Sequence, residues 1–438
     1  MRVDGRRADQ AREVSITTDF MRTADGSCLI ATGQTRVICT ASVEEGVPRW
    51  KKDQGGGWIT AEYAMLPAST GVRKRRDGAQ KDGRSVEIQR LIGRSIRQAV
   101  DLRLLGDRTI TLDCDVLEAD GGTRTASITG AMVALACAID KLIRAGKLSV
   151  SPIIHQVAAI SCGIVGDEPC LDLCYQEDSR AMVDMNVVMN EKGDFIELQG
   201  TGEGRAFTAN ELSTLTGYAR QGISMLMQAQ REALGERSSC LCGLPVLVAA
   251  TGNAHKLREL RTIFGDLYQV ISMHDVGFID DIIEDADSFS GNAALKAEAV
   301  CRATGFPSIA DDSGLAVDAL NGEPGVYSAR YCGHHGDDEA NNDKLLEKLA
   351  GTENRSAAFH SAIALARPGQ KTLIAEGLCP GVILHERRGT GGFGYDPLFL
   401  YEPLGKTFAE ITPEEKNAIS HRARACASMR KLIEEQYP

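Results

Sequence analysis

The hydrophobic pattern of the chain breaks near its middle. A long helical pattern ends at Leu234, residues 235–243 follow with glycine, serine and cysteine, and a new apolar strand begins at Val246. Because one hydrophobic core rarely extends beyond about 250–300 residues, a chain of 438 residues is expected to fold as two domains. The sequence therefore predicts one domain over residues 1–240 and a second over residues 245–438.

Composition restricts the class of protein. Apolar residues make up 43% of the chain and charged residues 25%, which is typical of folded globular domains. The longest strongly apolar stretch, residues 131–139, is too short to cross a bilayer, and no apolar segment follows the charged N-terminus. The 13 cysteines are odd in number and dispersed, which favours reduced thiols over a disulfide framework. We therefore expect a cytoplasmic protein without a membrane partner.

Charge is distributed unevenly along the chain. The net charge of −11 argues against a protein that binds nucleic acid over its whole surface, because phosphate binding needs concentrated lysine and arginine. Residues 71–103 nevertheless contain ten basic and four acidic side chains, so this segment could bind a polyanion. Arg90, Arg94 and Arg97 share one face of a predicted helix here, although for these three arginines alone a solvated face is the simpler explanation.

Period-two and helical patterns alternate through the first half, which predicts an α+β domain. The predicted strands cover residues 35–41, 109–117, 157–165, 170–175, 184–189 and 195–199. The predicted helices cover residues 87–102, 130–144 and 209–234. The second half opens with a strand, a loop and a helix from Val246 onward, which is the usual start of an α/β domain.

Residues 120–124, with the sequence Asp-Gly-Gly-Thr-Arg, lie between a predicted strand and a predicted helix. Gly121 and Gly122 would let backbone N–H groups approach an anion at the helix N-terminus. Thr123 adds a hydroxyl, and Arg124 adds a guanidinium that can bind a phosphate through two hydrogen bonds. Phosphodiester chemistry requires such groups, but a glycine pair alone is more often only a turn.

Ordered segments across residues 1–237 resemble the ribonuclease PH family. The matching segments are residues 36–42, 44–48, 57–63, 87–92, 112–117, 119–130 and 184–189. The resemblance implies a ribonuclease PH fold, built from two β-α-β-β halves like domain 2 of ribosomal protein S5. It also implies trimming of the 3′ ends of tRNA precursors and other RNA, with inorganic phosphate as co-substrate and nucleoside 5′-diphosphates as products. The implied assembly is a homo-oligomer, a hexameric ring of dimers.

The same resemblance assigns roles to single residues. The attacking phosphate would be bound by Arg84, Gly122, Thr123 and Arg124. Asp178 and Asp184 would be catalytic, either coordinating Mg²⁺ or moving a proton near the leaving 3′ oxygen. Two nearby aspartates are usually loop and strand-end residues, but an aspartate that opens an apolar strand is an unusual structural choice. Arg73 and Arg76 would bind RNA, whereas Ala68 stands where the family commonly has an arginine.

The second half contains polar segments suited to a nucleotide. Residues 251–256 follow the first strand, so N–H groups and a lysine could hold phosphates. The adjacent carboxylates of Asp311 and Asp312 follow an apolar run and are costly unless they are solvated or hold a cation. Glycines and two aromatic rings in residues 389–396 could close over a flat base, and residues 414–422 add cationic donors. Each segment alone also fits a turn, a hairpin or surface charge.

Together these segments resemble the dITP/XTP pyrophosphatases, the HAM1 or ITPase-like family, across residues 245–436. The resemblance implies a mixed α/β domain that uses Mg²⁺ to hydrolyse non-canonical purine triphosphates (dITP, ITP and XTP) to the monophosphate and pyrophosphate. Asp312 would be the general base and a metal ligand, and Glu284 a second metal ligand. The substrate would be bound by Thr251, Gly252, Asn253, Ala254, His255, Lys256, Ser313, Phe393, Gly394, Tyr395, Asp396, Lys416, His421 and Arg422. Gly291 stands where the family usually has a glutamate.

Two alternatives stay open at this point. The first half could be a catalytically silent, RNA-binding subunit of a ring, although it retains Arg124, Asp178 and Asp184. The second half could be a domain that only binds nucleotides, or a related nucleotide-cleaving enzyme. Gly291 favours that alternative, and the complete acidic segment around Asp312 argues against it.

Overall fold

The structure is a computed structural model that describes residues 2–75, 82–241, 243–334 and 336–436. Contacts between Cα atoms divide the chain into two compact units, Met1–Gly243 and Leu244–Pro438. The first unit contains a five-stranded and a four-stranded sheet, and the second contains a seven-stranded sheet. Short 3₁₀ helices cover Arg49–Gln54, Leu102–Leu105, Gly235–Cys240, Met273–Val276, Asp318–Leu320, Gly325–Arg330 and Glu402–Leu404.

The first half of the first unit is the five-stranded sheet with two helices. The strands are β1 (Val14–Thr18), β2 (Gly26–Thr32), β3 (Thr35–Glu45), β4 (Trp58–Met65) and β5 (Arg108–Glu118), and the helices are α1 (Gly83–Gln98) and α2 (Thr123–Arg144). The strand order is β1-β2-β3-β5-β4. β4 and β5 are parallel because α1 crosses over between them, and the other pairs are antiparallel. Side chains of β3 alternate between buried and more exposed, and the buried side packs against α2.

The second half of this unit is the four-stranded antiparallel sheet. Its strands are β6 (Val157–Val165), β7 (Glu168–Leu171), β8 (Val183–Asn190) and β9 (Phe195–Gly202), and its helices are α3 (Tyr175–Asp178) and α4 (Ala209–Leu234). The strand order is β7-β6-β8-β9. Helix α4 begins where Thr208 and Glu211 form a capping box. The predicted α+β class is confirmed for this unit.

Helix α2 is the core element of the first unit. It is long and apolar enough to cross a membrane by length and composition, but 83% of its apolar window is buried inside the unit. It packs against β2, β3 and β6, which belong to both sheets. A Cβ atom at Gly130 would lie 2.6 Å from Cys39 Sγ, so glycine lets the helix approach the sheet closely. The apolar length of α2 is therefore used in packing two sheets together.

Several predicted boundaries in this unit are wrong, including the start of α2, which is Thr123 and not residue 130. The predicted strand over residues 170–175 ends at Leu171, and Tyr175 begins α3. The strand cannot continue because Asp172 has a left-handed backbone (φ 52°), and a capping box then starts the helix. Helix α1 begins at Gly83, earlier than predicted, because the Asp82 carboxylate accepts a hydrogen bond from the Arg84 N–H (3.0 Å).

The second unit is a mixed α/β domain, as predicted. Its strands are β10 (Val246–Ala249), β11 (Gln269–Ser272), β12 (Ser308–Val317), β13 (Ser356–Ala366), β14 (Leu373–Ile383), β15 (Phe399–Tyr401) and β16 (Lys406–Thr407). Its helices are α5 (Ala254–Phe264), α6 (Phe289–Thr304), α7 (Asp338–Lys348), α8 (Pro413–Ile419) and α9 (His421–Gln436). The strand order is β11-β10-β12-β13-β14-β15-β16, with β11, β10 and β12 parallel and the remaining pairs antiparallel.

The two faces of β12 carry different chemistry. Successive side chains of a strand point to opposite faces, so the neighbouring carboxylates of Asp311 and Asp312 diverge. Asp311 contacts Arg422 of α9, whereas Asp312 contacts Asn292 and Lys296 of α6. The sheet thus separates two acidic environments that are adjacent in the sequence.

Candidate active sites

The turn before α2 forms an open anion site in the first unit. Gly121 (φ 76°) and Gly122 (φ 67°) both have left-handed backbones. A Cβ atom at Gly121 would lie 2.5 Å from the Leu173 carbonyl oxygen, so only glycine fits there. Gly122 is the N-cap of α2 and makes no side-chain capping bond. The first N–H groups of a helix lack partners within the helix, so these donors are available to an anion.

Tyr63 supports this turn from β4, and the sequence did not single it out. Its hydroxyl lies 2.9 Å from Thr123 Oγ1, and its side chain is buried. Burial raises the pKa of Tyr63, although the nearby charges of Arg84 and Arg124 counteract part of that rise. The tyrosine therefore stays protonated and fixes the threonine hydroxyl beside the two arginines.

Arg84 and Arg124 lie in one electrostatic environment although 40 residues separate them. Arg84 is in the first turn of α1, and Arg124 is in the first turn of α2. Burial raises the pKa of Asp178, and the charges of both arginines oppose that rise. The Arg124 guanidinium also lies 3.3 Å from Gln199 Oε1 and 3.4 Å from Glu87 Oε1. The fold thus brings both predicted phosphate-binding arginines to the predicted acidic pair.

Asp178 and Asp184 interact with each other. Asp178 ends α3, and Asp184 is the second residue of β8. Burial and then the charge of Asp178 raise the pKa of Asp184 to about 6. A carboxylate whose pKa is raised by burial and by a second carboxylate carries negative charge that a cation would relieve. Their oxygen donors suit Mg²⁺, which commonly takes one or two carboxylates and completes its shell with water and phosphate oxygens.

The predicted RNA-binding residues are only partly described. Arg73 is exposed on the segment between β4 and α1, and Ala68 lies in an exposed turn of the same segment. Arg76 lies outside the described residues. The exposure of Arg73 is compatible with a contact to a polyanion, and its role remains a prediction.

In the second unit, β10 leads into the N-terminus of α5. The Asn253 side chain accepts hydrogen bonds from the N–H groups of His255 (2.8 Å) and Lys256 (3.3 Å). The hydroxyl of Thr251 accepts one from the Asn253 N–H (3.2 Å). Gly252 and Ala254 are exposed between them. This turn places the backbone donors of residues 251–256 at a helix start, where phosphate oxygens can replace the asparagine oxygen.

Asp311 is the centre of a cationic network on the α9 face. Its Oδ2 atom lies 3.0 Å from Lys256 Nζ and accepts a hydrogen bond from Arg422 Nε at 3.0 Å. Arg422 also donates to Glu259 Oε2 (2.9 Å) and lies 3.4 Å from Ser313 Oγ. Burial alone would raise the pKa of Asp311, but Lys256 and Arg422 hold it well below its usual range. Asp311 therefore orients two predicted substrate-binding cations.

Asp312 and Glu284 meet at a buried lysine on the α6 face. Lys296 Nζ lies 3.0 Å from Glu284 Oε2 and 3.4 Å from Asp312 Oδ1. Asn292 donates to Asp312 Oδ2 (3.2 Å) and accepts from the Ala286 N–H (3.0 Å), which fixes the Glu284 loop. Burial raises the pKa of Asp312, partly offset by Lys296. The carboxylates of Glu284 and Asp312, the two predicted metal ligands, thus lie beside the same lysine ammonium group.

The donor set at this point fits Mg²⁺. Within the described ranges no group of three or more His, Cys, Asp and Glu side chains is placed to hold a metal ion. Two carboxylates suffice for Mg²⁺ when water and substrate phosphates supply the other ligands. The sequence did not single out Lys296, whose signal is a lysine on the buried side of α6.

Gly291 stands where the family usually has a glutamate, and the structure shows what occupies the space of that side chain. A Cβ atom there would lie 2.7 Å from the Ala286 Cβ atom, so the loop that carries Glu284 occupies the space of a larger side chain. Ser288 caps α6 by accepting a hydrogen bond from the Gly291 N–H (3.1 Å). The loop is thereby held against the helix by packing and by a cap.

The segment predicted to hold the base divides into an exposed and a buried part. Phe393 is 61% exposed, and Lys416 Nζ lies 4.5 Å from its ring centre. Lys416 also forms an ion pair with the buried Asp396. Tyr395 is buried, and its hydroxyl donates to the Ser328 carbonyl oxygen (2.9 Å). The Tyr395 side chain therefore belongs to the core, and the role of this residue in binding substrate remains a prediction.

His421 lies buried beside Arg422. Its ring stacks on Phe359 with the ring centres 4.9 Å apart, and Nδ1 has no hydrogen-bond partner among the described residues. Burial first, and then the charges of Arg422 and Lys416, lower the pKa of His421 to about 3. The imidazole is therefore neutral near neutral pH and can accept a hydrogen bond.

We expect the neutral His421 to make stability depend on acidity. The unfolded chain binds a proton as the pH falls below 6.5, the ordinary pKa, whereas the folded state binds it only near 3. Stability is therefore lost as the pH falls through this window, by at most about 1.4 kcal/mol per pH unit. His421→Phe keeps a ring against Phe359 and removes the titration, so thermal unfolding of that variant should fall less between pH 7 and pH 4. A difference in Tm that does not change with pH would refute this.

Family models match both halves of the chain. Two models described as the 3′ exoribonuclease family match the first unit, domain 1 over residues 10–139 and domain 2 over residues 155–222. A model described as the Ham1 family matches residues 247–432. Together these matches cover most of each unit.

Individual relatives agree with these models. A ribonuclease PH of Corynebacterium glutamicum is 58% identical over 236 residues, which cover 53% of this chain and 96% of that protein. The solved Ham1 protein of Staphylococcus aureus is 42% identical over 43% of this chain and 98% of its own, with a TM-score of 0.42. A Mycobacterium abscessus structure titled nucleoside-triphosphatase/dITP/XTP pyrophosphatase is 45% identical over 42% of this chain and 97% of its own, with a TM-score of 0.38.

These matches confirm both resemblances and the expectation that the chain is an enzyme, and they do not test the role of any single residue. The resemblances expected from the sequence motifs begin and end close to the matched ranges. The chain belongs to the ribonuclease PH family through its first unit and to the Ham1 family through its second.

Proposed function

We propose that the first unit removes nucleotides from the 3′ ends of tRNA precursors and other RNA by phosphorolysis. A phosphate oxygen attacks the terminal phosphodiester, the 3′ oxygen of the preceding nucleotide leaves, and a nucleoside 5′-diphosphate is released. The observation that carries this proposal is the convergence of Arg84 and Arg124 on Asp178 beside the open N–H groups of the Gly121–Gly122 turn. Such donors bind an anionic nucleophile and neutralise charge on the transferred group.

The acidic pair supplies the other half of the reaction. With a pKa of about 6, Asp184 is partly protonated near neutral pH and can give a proton to the leaving 3′ oxygen. Where Asp178 and Asp184 instead bind Mg²⁺, both carboxylates are ionised, and the ion would supply positive charge to the same phosphoryl oxygens. Arg73, exposed on the basic segment, and Arg76 would guide the RNA strand toward this pair.

The test for the first unit is a product analysis on a tRNA with a short 3′ extension. We expect nucleoside 5′-diphosphates in the presence of inorganic phosphate and no shortening when phosphate is replaced by sulfate. Nucleoside monophosphates, or a rate independent of phosphate, would contradict phosphorolysis. Binding of the RNA without shortening under any condition would support the alternative of a silent RNA-binding subunit.

We propose that the second unit hydrolyses dITP, ITP and XTP to the monophosphate and pyrophosphate. The observation that carries this proposal is that the carboxylates of Glu284 and Asp312 both contact Lys296 Nζ. Asp312 would take a proton from the attacking water, and Mg²⁺ held by the two carboxylates would supply charge to the triphosphate. Lys256 and the donors of residues 251–256 would hold phosphate oxygens.

Recognition of the base would use the cations near Phe393. Lys416 and Arg422 are donors, and a 6-keto oxygen can accept from them where the amino group of adenine cannot. Such discrimination can be large because a wrong base leaves buried donors unpaired. The test is release of pyrophosphate from dITP, XTP and dATP in Mg²⁺ and in EDTA. Release of orthophosphate, an equal rate with dATP, or full activity in EDTA would each contradict the proposal.

The location and assembly of the chain are also proposals. The composition supports a cytoplasmic enzyme, and the ribonuclease PH family supports a hexameric ring of dimers formed by the first unit. Size determination by light scattering on the purified full chain, with its intact mass, distinguishes a hexamer from a dimer or a monomer.

A further inference from the structure

A buried arginine connects the two loops that carry the first site. Arg12 precedes β1, and its side chain is 6% exposed. Its guanidinium donates to both carboxylate oxygens of Asp172, from Nε to Oδ2 (2.9 Å) and from Nη2 to Oδ1 (2.7 Å). The Arg12 N–H donates to Oδ2 of the same carboxylate (2.8 Å). This is the two-pronged pairing in which an arginine is most strongly oriented.

The remaining donors of Arg12 point into the turn before α2. Nη1 donates to the Asp120 carbonyl oxygen, and Nη2 lies 3.4 Å from the Gly121 carbonyl oxygen. Thr35 Oγ1 also donates to the Gly121 carbonyl oxygen (2.7 Å). In a trans peptide the C=O and N–H groups point in opposite directions. Holding these two carbonyls therefore turns the N–H groups of Gly121 and Gly122 away from Arg12, toward the side left open for an anion.

The partner Asp172 begins the loop that leads to the acidic pair. Its backbone is left-handed (φ 52°), which costs free energy in a residue other than glycine, so the three hydrogen bonds to its carboxylate hold a conformation that would otherwise relax. A second connection joins the same loops, because Asp120 Oδ1 accepts a hydrogen bond from the Tyr175 N–H (3.1 Å). Asp178 is only three residues beyond Tyr175, at the end of the same helix.

We propose that Arg12 and Asp172 are positioning residues that fix the phosphate-binding turn relative to the loop carrying Asp178. The inference rests on the proposed phosphorolytic function of the first unit. The pair contacts neither reacting group directly. The pair keeps the N–H groups of the turn oriented toward the site of the nucleophilic phosphate before the phosphate binds. The conformational entropy of the turn is therefore lost during folding and not during phosphate binding.

A neighbouring pair provides a matched control. Arg2 is also buried, forms an ion pair with Glu177 (2.6 Å), and donates to the carbonyl oxygens of Leu171 (2.7 Å) and Asp172 (2.9 Å). It anchors the same loop to the same N-terminal segment, and none of the hydrogen bonds described for its side chain reaches the turn before α2. Arg2→Lys therefore loosens the loop without releasing the carbonyls of Asp120 and Gly121.

The test compares steady-state phosphorolysis by the full chain, with inorganic phosphate and RNA varied separately. Lysine cannot reproduce the two-pronged pairing and the carbonyl contacts at once. Arg12→Lys should raise the KM for inorganic phosphate by about tenfold, the equivalent of one misaligned charge-assisted hydrogen bond. The KM for RNA should change by less than about twofold, because the RNA is bound by other groups. Arg2→Lys should leave both KM values within about twofold of the unsubstituted chain.

Asp172→Asn is the second variant, because asparagine tolerates a left-handed backbone and keeps the side-chain volume. It should raise the KM for phosphate in the same way even if Arg12→Lys fails to fold. Equal changes in the two KM values, or an equal rise with Arg2→Lys, would overturn the positioning role and leave only a structural one. If the unsubstituted chain does not need phosphate at all, the proposed function fails. If it does and both variants keep a normal phosphate KM, only this inference fails.

Discussion

Replacing Asp312 with asparagine should lower the rate of pyrophosphate release from dITP by about a thousandfold, the usual contribution of a general base. Asparagine keeps the shape and can still accept the hydrogen bond that Asn292 donates at 3.2 Å. It cannot accept a proton from water, and it binds a divalent cation more weakly than a carboxylate does. The KM should change less than kcat, because Lys256 and the backbone donors of residues 251–256, which would hold the phosphates, stay in place. The measurement is kcat and KM at saturating Mg²⁺.

Asp318→Asn is the matched control for this substitution. Asp318 lies just beyond β12, is exposed and has no role in the proposed site. Phosphorolysis by the first unit of the same preparation provides an internal check that the chain was made and folded. Retention of more than a tenth of the turnover by Asp312→Asn would show that another group activates the water, and the assignment would then be wrong.

Local patterns predicted the regular elements well where they were strong. β6 and α4 have the bounds that the sequence indicates, because the apolar run of one and the amphipathic repeat of the other are unbroken. The errors fall where a single residue controls the backbone. The cap at Asp82 and the left-handed Asp172 are local features, but their effect on a helix start and a strand end depends on tertiary contacts.

The grouping of site residues could not be predicted from pattern alone. Arg84, Arg124 and Asp178 come from separate elements, so only the family resemblance connected them before the fold was known. Arg12 gave no signal, and Tyr63 was marked only as part of the family-like segment 57–63, because a lone arginine or tyrosine is usually surface or core. Their importance depends on hydrogen bonds to a turn that is distant in sequence.

In the second unit, the sequence could not show which of two adjacent aspartates lies at the metal site. Period two predicts that Asp311 and Asp312 lie on opposite faces, but not which face holds the metal. The structure distinguishes them, since Asp311 is surrounded by Lys256 and Arg422 and only Asp312 meets Glu284 through Lys296. The aromatic rings of residues 389–396 are a similar case. Turn geometry decides which of the two rings is exposed, and composition does not specify that geometry.

Asp184→Asn should lower the rate of phosphorolysis by about a thousandfold, since general acid or metal-ligand carboxylates contribute on the order of 10²–10⁴ in rate. The same substitution should leave the protein as stable as before or more stable. The reason for the opposite effects is the pKa of Asp184, raised to about 6 by burial and by Asp178. The ordinary value in the unfolded chain is 3.8, so the folded state binds the proton more tightly. Stability is therefore fully present below about pH 4 and is lost as the pH rises through 6. At pH 8 the ionised carboxylate costs on the order of 3 kcal/mol, which asparagine removes.

The measurement pairs activity at pH 8 with thermal unfolding at pH 4.5 and pH 8 in EDTA, so that no cation offsets the carboxylate charge. The gain in Tm of Asp184→Asn over the unsubstituted chain should appear at pH 8 and shrink at pH 4.5, where Asp184 in the folded native chain is protonated and uncharged. Asp167→Asn, in the exposed turn between β6 and β7, should change neither quantity. If Asp184→Asn loses both activity and stability at both pH values, Asp184 has a structural role in holding β8. A residue that serves only the chemistry is instead expected to lower the stability of the fold, so its replacement should raise that stability.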